Sequence, residues 1–518
     1  MNGLPLRVEV PSLRRPSLRA LAIGAFALLP VFTALPALAK APPIPQLTPD
    51  AVTHHTMVLD GRTLAYTARA GTITLKNQEE QPLVRVFYTA YTVDNGTNRP
   101  VTFLYNGGPG SSTIWLRMGS FGPVLVKTSD GTPSGPPPYR IVDNPYSLLD
   151  RTDLVFIDMP GSGFGRIIGV GKPKDLWGID EDADAFAQFI TRYLTQFHRW
   201  NSPRFLFGES YGTLRSAVLS NVLAQRGVAL NGIVLLSSFL NPMIDYNDGA
   251  PIGGGDWAYI LYLPTEAATA WYHHAVQAPS LSAFLAEVEQ FGLTEYLDGL
   301  AQGAQLAPSR FDDIVAKLHR YTGLSEQYIR NSNIRVSYDR FQNELARQRG
   351  ITVGRIDSRF STYVLDKPEV SPDWDALDAA IDSAFVSTAN SYLRDDLKYD
   401  TPLMYRYEIY DLIYADGNSW DFTHGNDPQT VNAAPDLAQT MVYNPQLKVF
   451  SANGYFDFAT PFFATVYTLN HLYLAPALQK NITYGFYESG HMVYLHPQAQ
   501  AAMHADLERW YAATLGGR

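Results

Sequence analysis

Hydrophobic and polar positions alternate between Thr56 and Thr92, in runs such as Thr72-Ile73-Thr74-Leu75 and Val84-Arg85-Val86-Phe87-Tyr88. That period of two predicts short, half-buried strands, with Gly61 and Gly71 between them. The pattern then changes to short runs that are apolar throughout. Val101–Tyr105 precedes Asn106-Gly107-Gly108-Pro109-Gly110, 154–157 precedes Asp158, and 205–207 precedes Gly208. Continuously apolar strands of this length suit a mostly parallel sheet covered on both faces. Residues 211–226 switch to helical spacing, placing Leu214, Ala217, Val218, Asn221, Val222 and Gln225 on one stripe, with Gly227 as the stop. From 246 to 430 strand-like runs thin out, and 265–276, Leu281–Phe291 and 373–393 read as helices. Strand patterns return at 447–451 and Ile482–Tyr487, before a last helix near 498–515. The organisation predicted is one α/β domain in two parts, 40–245 and 431–518, with 246–430 inserted as a mainly helical cap. No internal repeat interrupts it.

The N-terminus does not fit that domain. Arg7, Arg14, Arg15 and Arg19 precede an apolar run from 20 to 29, and Ala37-Leu38-Ala39 has the small-x-small form of a cleavage site. Basic, then apolar, then A-x-A predicts a secretory signal peptide over 1–39, cut after Ala39, and a periplasmic or secreted mature protein. A membrane anchor needs about 20 apolar residues, and Pro30 and Pro36 interrupt this stretch. The Arg14-Arg15 pair leaves twin-arginine export open. No stable membrane insertion is expected after cleavage. Residues 40–49 form a Pro-rich, extended lead-in.

Composition narrows the chemistry. With 40 basic and 50 acidic residues the formal charge is −10, which offers no electrostatic footprint for nucleic acid. The 518 residues include no cysteine, so disulfides, thiolate metal sites and cysteine nucleophiles are excluded. No metal or other cofactor is expected.

Gly208-Glu209-Ser210-Tyr211-Gly212 fits G-x-S-x-G, between an apolar strand and a helix. A serine in that sharp turn is exposed as a nucleophile, and flanking glycines remove the side chains that would clash. Where such an elbow is catalytic, an acid and then a histidine follow in the chain. His491 lies in the loop Glu488-Ser489-Gly490-His491-Met492, after a strand. His471 reads as helical, and His496 and His504 as surface residues. Asp457 follows a strand through Asn453-Gly454-Tyr455-Phe456, where a carboxylate can fix an imidazole tautomer. It is equally readable as a loop or capping aspartate, and its place in the order favours the former.

Together these blocks resemble the serine carboxypeptidases. Asn106-Gly107-Gly108-Pro109-Gly110-Ser111-Ser112 is similar to the family's N-G-G-P-G-C-S-S, with Ser111 where cysteine is usual. Asn144-Pro145-Tyr146-Ser147, Phe156-Ile157-Asp158 and Gly163-Phe164 resemble its second block, and Gly208-Glu209-Ser210-Tyr211-Gly212 its G-E-S-Y-[AG]. Gly454-Tyr455-Phe456-Asp457 stands where it has G-D-x-D, and Gly490-His491-Met492-Val493 matches its G-H-M-V. The resemblance implies an α/β-hydrolase fold with a helical insertion, a secreted member of bacterial type without cysteines, and peptide substrates trimmed from the C-terminus. It implies Ser210 as nucleophile, His491 as base then acid, Asp457 as its orienter, and the Gly108 and Tyr211 N–H groups as oxyanion hole. It also implies that Asn106 and Glu209 bind the substrate carboxylate, which requires Glu209 to be protonated. Two departures stand out: Ser120 replaces a second glutamate, and Leu104 replaces a tryptophan. Without its like-charged neighbour Glu209 is expected to titrate lower, unless burial compensates. An esterase or acyltransferase on the same triad remains the alternative, and a non-catalytic binding protein is disfavoured by the complete Ser-Asp-His set.

Overall fold

The computed structural model describes residues 47–242 apart from 95 and 97, 255–365, 374–425 apart from 416, and 431–516. The signal-peptide expectation over 1–39 lies outside the described residues. Among the described residues no helix is long and apolar enough to cross a membrane.

The alternating N-terminal pattern folds as three antiparallel strands, β1 (Ala51–Leu59), β2 (Arg62–Lys76) and β3 (Pro82–Val93). They are longer than the sequence suggests, because Gly71 lies inside β2, opposite Tyr88, rather than ending a strand. There the Asp50 carboxylate fills the space a side chain would need. Six parallel strands follow: β4 (Val101–Tyr105), β5 (Asp153–Ile157), β6 (Arg204–Ser210), β7 (Gly232–Ser238), β8 (Lys448–Gly454) and β9 (Ile482–Tyr487). Their order across the sheet is β1-β2-β3-β5-β4-β6-β7-β8-β9, and Arg166–Ile167 adds a short pairing to β3. β4, β5 and β7 are buried at every position.

Burial on both faces follows from alternation inside those strands. Phe103, Val155, Leu206 and Ile233 enter one core with α2 (Ile179–Gln196), α3 (Tyr211–Gln225) and α8 (Ala434–Tyr443). Leu104, Phe156, Phe207 and Val234 enter another with α1 (Ile114–Gly119), α7 (Ala376–Ser391) and α10 (Pro497–Thr514). Helix α3, read from sequence as one-sided, is buried on nearly every side, lying between the sheet, α2 and α8. β7 escaped the sequence reading because Gly232–Ser238 ends in no glycine-rich or acidic loop.

Between β7 and α8 lie α4 (Asp256–Tyr272), α5 (Leu281–Phe291) and α6 (Pro308–Thr322), sharing a third core with Phe456, Phe458 and Phe462 beyond β8. α4 starts nine residues before the sequence-based start at 265, and it carries Pro264 in its interior. A small antiparallel hairpin, Ile351–Val353 with Ser361–Tyr363, interrupts the helices. α9 (Phe462–Asn470) follows β8.

Candidate active site

β6 ends at Ser210, whose backbone takes φ 61° and ψ −130°, and α3 begins at Tyr211. A non-glycine residue at positive φ costs on the order of 1–3 kcal/mol and persists only where its surroundings impose it. Here they do: a Cβ on Gly208 would lie 2.1 Å from the Gly212 carbonyl oxygen, and one on Gly212 2.9 Å from that of Tyr105. The loop after β4 presses equally close, since a Cβ on Gly107 would lie 2.5 Å from the Tyr211 nitrogen. Gly107, Gly108 and the free N-terminus of α3 therefore sit side by side, with orphan N–H groups available.

Asp457 and His491 come from the loops after β8 and β9, which the parallel pairing of those strands places side by side. His491 Nδ1 lies 2.8 Å from Asp457 Oδ2. Asp457 is fully buried and accepts from the backbone N–H of Ala459 and Thr460 (2.8 and 2.9 Å) and from the Thr460 hydroxyl (2.6 Å). Burial opposes charge on His491, but the Asp457 carboxylate and its hydrogen bond, with Glu209, outweigh that and raise its pKa. Ser210 and His491 line one cavity of about 690 Å³, together with Asn106, Gly108 and Glu209. Among the described residues no hydrogen bond joins Ser210 to His491. Such contacts commonly tighten only with substrate.

Glu209 is 2% exposed, and the Tyr494 hydroxyl donates to its Oε2 at 2.9 Å. Burial pushes its pKa up to about 7, against His491, Tyr494 and Asn106, which favour the ionised form. The loss of a carboxylate neighbour thus does not bring it down; burial prevails. Ser120 is buried at the end of α1 and donates to the Leu116 carbonyl at 2.6 Å. Asn106 is held through backbone and side chain: Arg215 on α3, paired with Asp182, donates to the Asn106 carbonyl at 2.7 Å, and the Leu116 N–H donates to its Oδ1 at 3.0 Å. Of the second block, Asp158 accepts from the Thr113 N–H and the Tyr405 hydroxyl, both at 2.8 Å, which fixes the chain beyond Asn106.

Several of these parts were invisible in the sequence. Tyr494 sits three residues after His491, and only that proximity could have suggested it. The segment 355–358 was missed altogether. The Ile356 carbonyl accepts from the His491 N–H (2.8 Å), Ser358 N–H donates to the Phe456 carbonyl (3.0 Å), and the Arg355 carbonyl accepts from the Phe458 N–H (3.0 Å). Asp357, paired with Arg359, accepts from the Gly490 N–H at 3.3 Å. Among the other histidines, His471 ends α9 and is exposed. His496 and His504 are half-buried rather than surface residues, because α10 docks on the sheet and brings His496 to Arg359 and His504 to Tyr146.

Carboxypeptidase Y of Saccharomyces cerevisiae is 25% identical over 197 residues, 36% of this chain and 34% of that protein. Carboxypeptidase Y homolog A of Arthroderma otae is 24% identical over 229 residues, 39% of this chain and 38% of that protein. The matched segments thus span little more than a third of these relatives. A crystal structure of a prohormone-processing carboxypeptidase from Saccharomyces cerevisiae superposes with a TM-score of 0.51 at 16% identity, covering 86% of this chain and 91% of that one. The fold is that of the α/β-hydrolases. A family model for serine carboxypeptidases matches residues 61–481, and the chain belongs to that family.

Proposed function

We propose that the protein is a secreted serine carboxypeptidase, released by cleavage after Ala39, that removes C-terminal residues from peptides through an acyl-enzyme on Ser210. The observation that carries this reading is the Asp457–His491 pair, 2.8 Å apart at the wall of the cavity that also holds Ser210 and a nearly buried, proton-retaining Glu209. His491 Nε2 takes the Ser210 proton as Oγ attacks the scissile carbonyl, and the oxyanion forms against the Gly108 and Tyr211 N–H groups. Asp457 holds the imidazole tautomer and stabilises the imidazolium, which then protonates the leaving amine. Water, activated by the same histidine, releases the acyl group. Asn106 and protonated Glu209 supply neutral donors to the terminal carboxylate, so its charge is not set against another. The helices between β7 and α8 act as the cap that selects substrates. The absence of a carboxyl at Ser120 favours a second reading, an esterase or acyltransferase on the same triad.

The test compares a free-acid peptide, its C-terminal amide and a small ester. A carboxypeptidase turns over the acid in strong preference to the amide, and Ser210→Ala loses on the order of 10⁶ in kcat. Equal rates on acid and amide would hand the site to the ester reading, and phosphonate labelling at a serine other than Ser210 would overturn the mechanism.

A further inference from the structure

Proton transfer from Ser210 to His491 depends on the separation of two groups carried by different strands. Ser210 ends β6 and His491 follows β9, with β7 and β8 between them in the sheet. The end of β7 reaches both. Ser238 pairs with Ser210, and Leu236 with Glu209, so Ser237 is an extra residue in the ladder, a bulge. Its backbone takes φ 54°, a strained angle for any residue that carries a side chain. Bulges beside active sites commonly re-aim a side chain. Here the Ser237 hydroxyl donates to the His491 carbonyl at 2.6 Å. The chain at His491 is therefore pinned on both sides, since its N–H donates to the Ile356 carbonyl at 2.8 Å.

Two residues further on, the same segment grips the nucleophile. The Phe239 N–H donates to the Thr213 hydroxyl at 2.7 Å, and that hydroxyl donates to the Ser210 carbonyl, also at 2.7 Å. Thr213 lies in the first turn of α3, and both it and Ser237 are buried. We propose that residues 237–239 are a spacer that sets the distance between Ser210 and His491, with Ser237 and Thr213 as positioning residues. The inference rests on Ser210 as nucleophile and His491 as its base, and it applies to peptide and ester substrates alike.

The division of labour is geometric. Asp457 fixes the orientation of the imidazole through Nδ1, whereas Ser237 fixes where the backbone carrying that ring stands. Glycine would adopt φ 54° without strain. Serine keeps the strain, and with it a hydroxyl that reaches the carbonyl of the general base. Without that donor the loop of His491 is free to drift from the strand that pairs with Ser210. A misplacement of about 1 Å between reacting groups costs on the order of a hundredfold in rate.

Ser237→Gly, Ser237→Ala and Thr213→Val, each in the full-length protein, are compared with the natural protein on a free-acid peptide and a small activated ester. In every variant kcat should fall by about tenfold to a hundredfold, with KM within about twofold. Glycine relieves the backbone strain that alanine retains, so Ser237→Gly should melt higher than Ser237→Ala and yet be as slow. Combining Ser237→Gly with Thr213→Val should give a rate near that of the slower single variant, because both changes release the same distance. Activity that recovers with stability in Ser237→Gly, a rise in KM in place of the fall in kcat, or losses that multiply would overturn the spacer. So would full activity in the Ser237 and Thr213 variants beside an inactive Ser210→Ala, which leaves the nucleophile standing. Full turnover by Ser210→Ala, or turnover of neither substrate by the natural protein, would remove the mechanism and the spacer together. Turnover of the ester alone would refute the carboxypeptidase, and the same losses read on the ester would sustain the spacer.

Discussion

Replacing Glu209 by glutamine keeps the shape of the side chain and removes its titration. In the natural protein the carboxyl titrates at about 7, against 4.5 in an unfolded chain. At about 1.4 kcal/mol per pH unit, the gap is worth about 3 kcal/mol. The sign follows from which form the fold prefers. The neutral acid is favoured, so its contribution is complete below pH 4.5 and is lost as pH rises through about 7. Solvent screening reduces this little, because the group is 2% exposed. Urea unfolding at pH 5, 6, 7 and 8 should therefore show the natural protein losing up to about 3 kcal/mol relative to Glu209→Gln. The same ionisation should remove the site for a substrate carboxylate. Between pH 7 and 9 the ratio of free-acid to amide turnover should fall by about tenfold per unit, while ester turnover follows His491. Tyr494→Phe removes a donor that favours the carboxylate, so its midpoint should move to higher pH. A stability difference independent of pH, or acid and amide profiles that stay parallel, would refute the argument that burial holds this proton.

Other substitutions test other parts. His424 lies 2.6 Å from Asp180 and 2.8 Å from Asp436, whose hydrogen bonds raise its pKa to about 10. Its contribution is complete below pH 6.5 and lost as pH passes 10, so His424→Gln should lower the melting temperature at pH 7 and much less at pH 10.5. Asp357→Asn weakens the acceptor for Gly490 and removes the buried one of the two carboxylates paired with Arg359, leaving Asp130, so kcat should fall with little change in KM, and the acidic limb of the pH profile should shift. Gly212→Val drives a side chain against the Tyr105 carbonyl oxygen and should abolish soluble expression or activity, whereas Gly227→Ala, beyond the end of α3, has open space but a φ of 75°, and should cost only the backbone strain of about 1–2 kcal/mol by urea titration with activity kept.

What was legible in the sequence was whatever local pattern encodes. β4 and β9 begin and end where the apolar runs do, α5 matches its helical spacing, and the elbow announces itself through Gly208 and Gly212, because steric demands within five residues leave a short motif. The Asp457–His491 contact was accessible through chain order, since consecutive parallel strands deliver their following loops to one edge. The partner of Glu209 was not, because Tyr494 reaches it from 285 residues away. Asp378 and Glu408, which also line the cavity, were not legible for the same reason: they carry no local signal, and only the packing of α7 and the pairing of 407–409 with the Gly110–Ser112 loop bring them to Ser210. β2 shows the opposite failure, where a glycine that serves close packing was read as a breaker.

Residues 355–358 bind the loops of Asp457 and His491 to each other, yet they belong to the long stretch between β7 and α8. The frame of the reacting groups is consequently shared: β8 and β9 pair directly, and 355–358 clasp the loops beyond them. Exchanging 246–430 as a cassette would import a foreign clasp for the general base along with a new pocket. Such chimeras would then change rate and selectivity together, and natural drift in that stretch would be constrained at its centre while its helices vary. Junctions that return 355–358 to the recipient sequence are the ones that should let specificity be redesigned without retuning the imidazole.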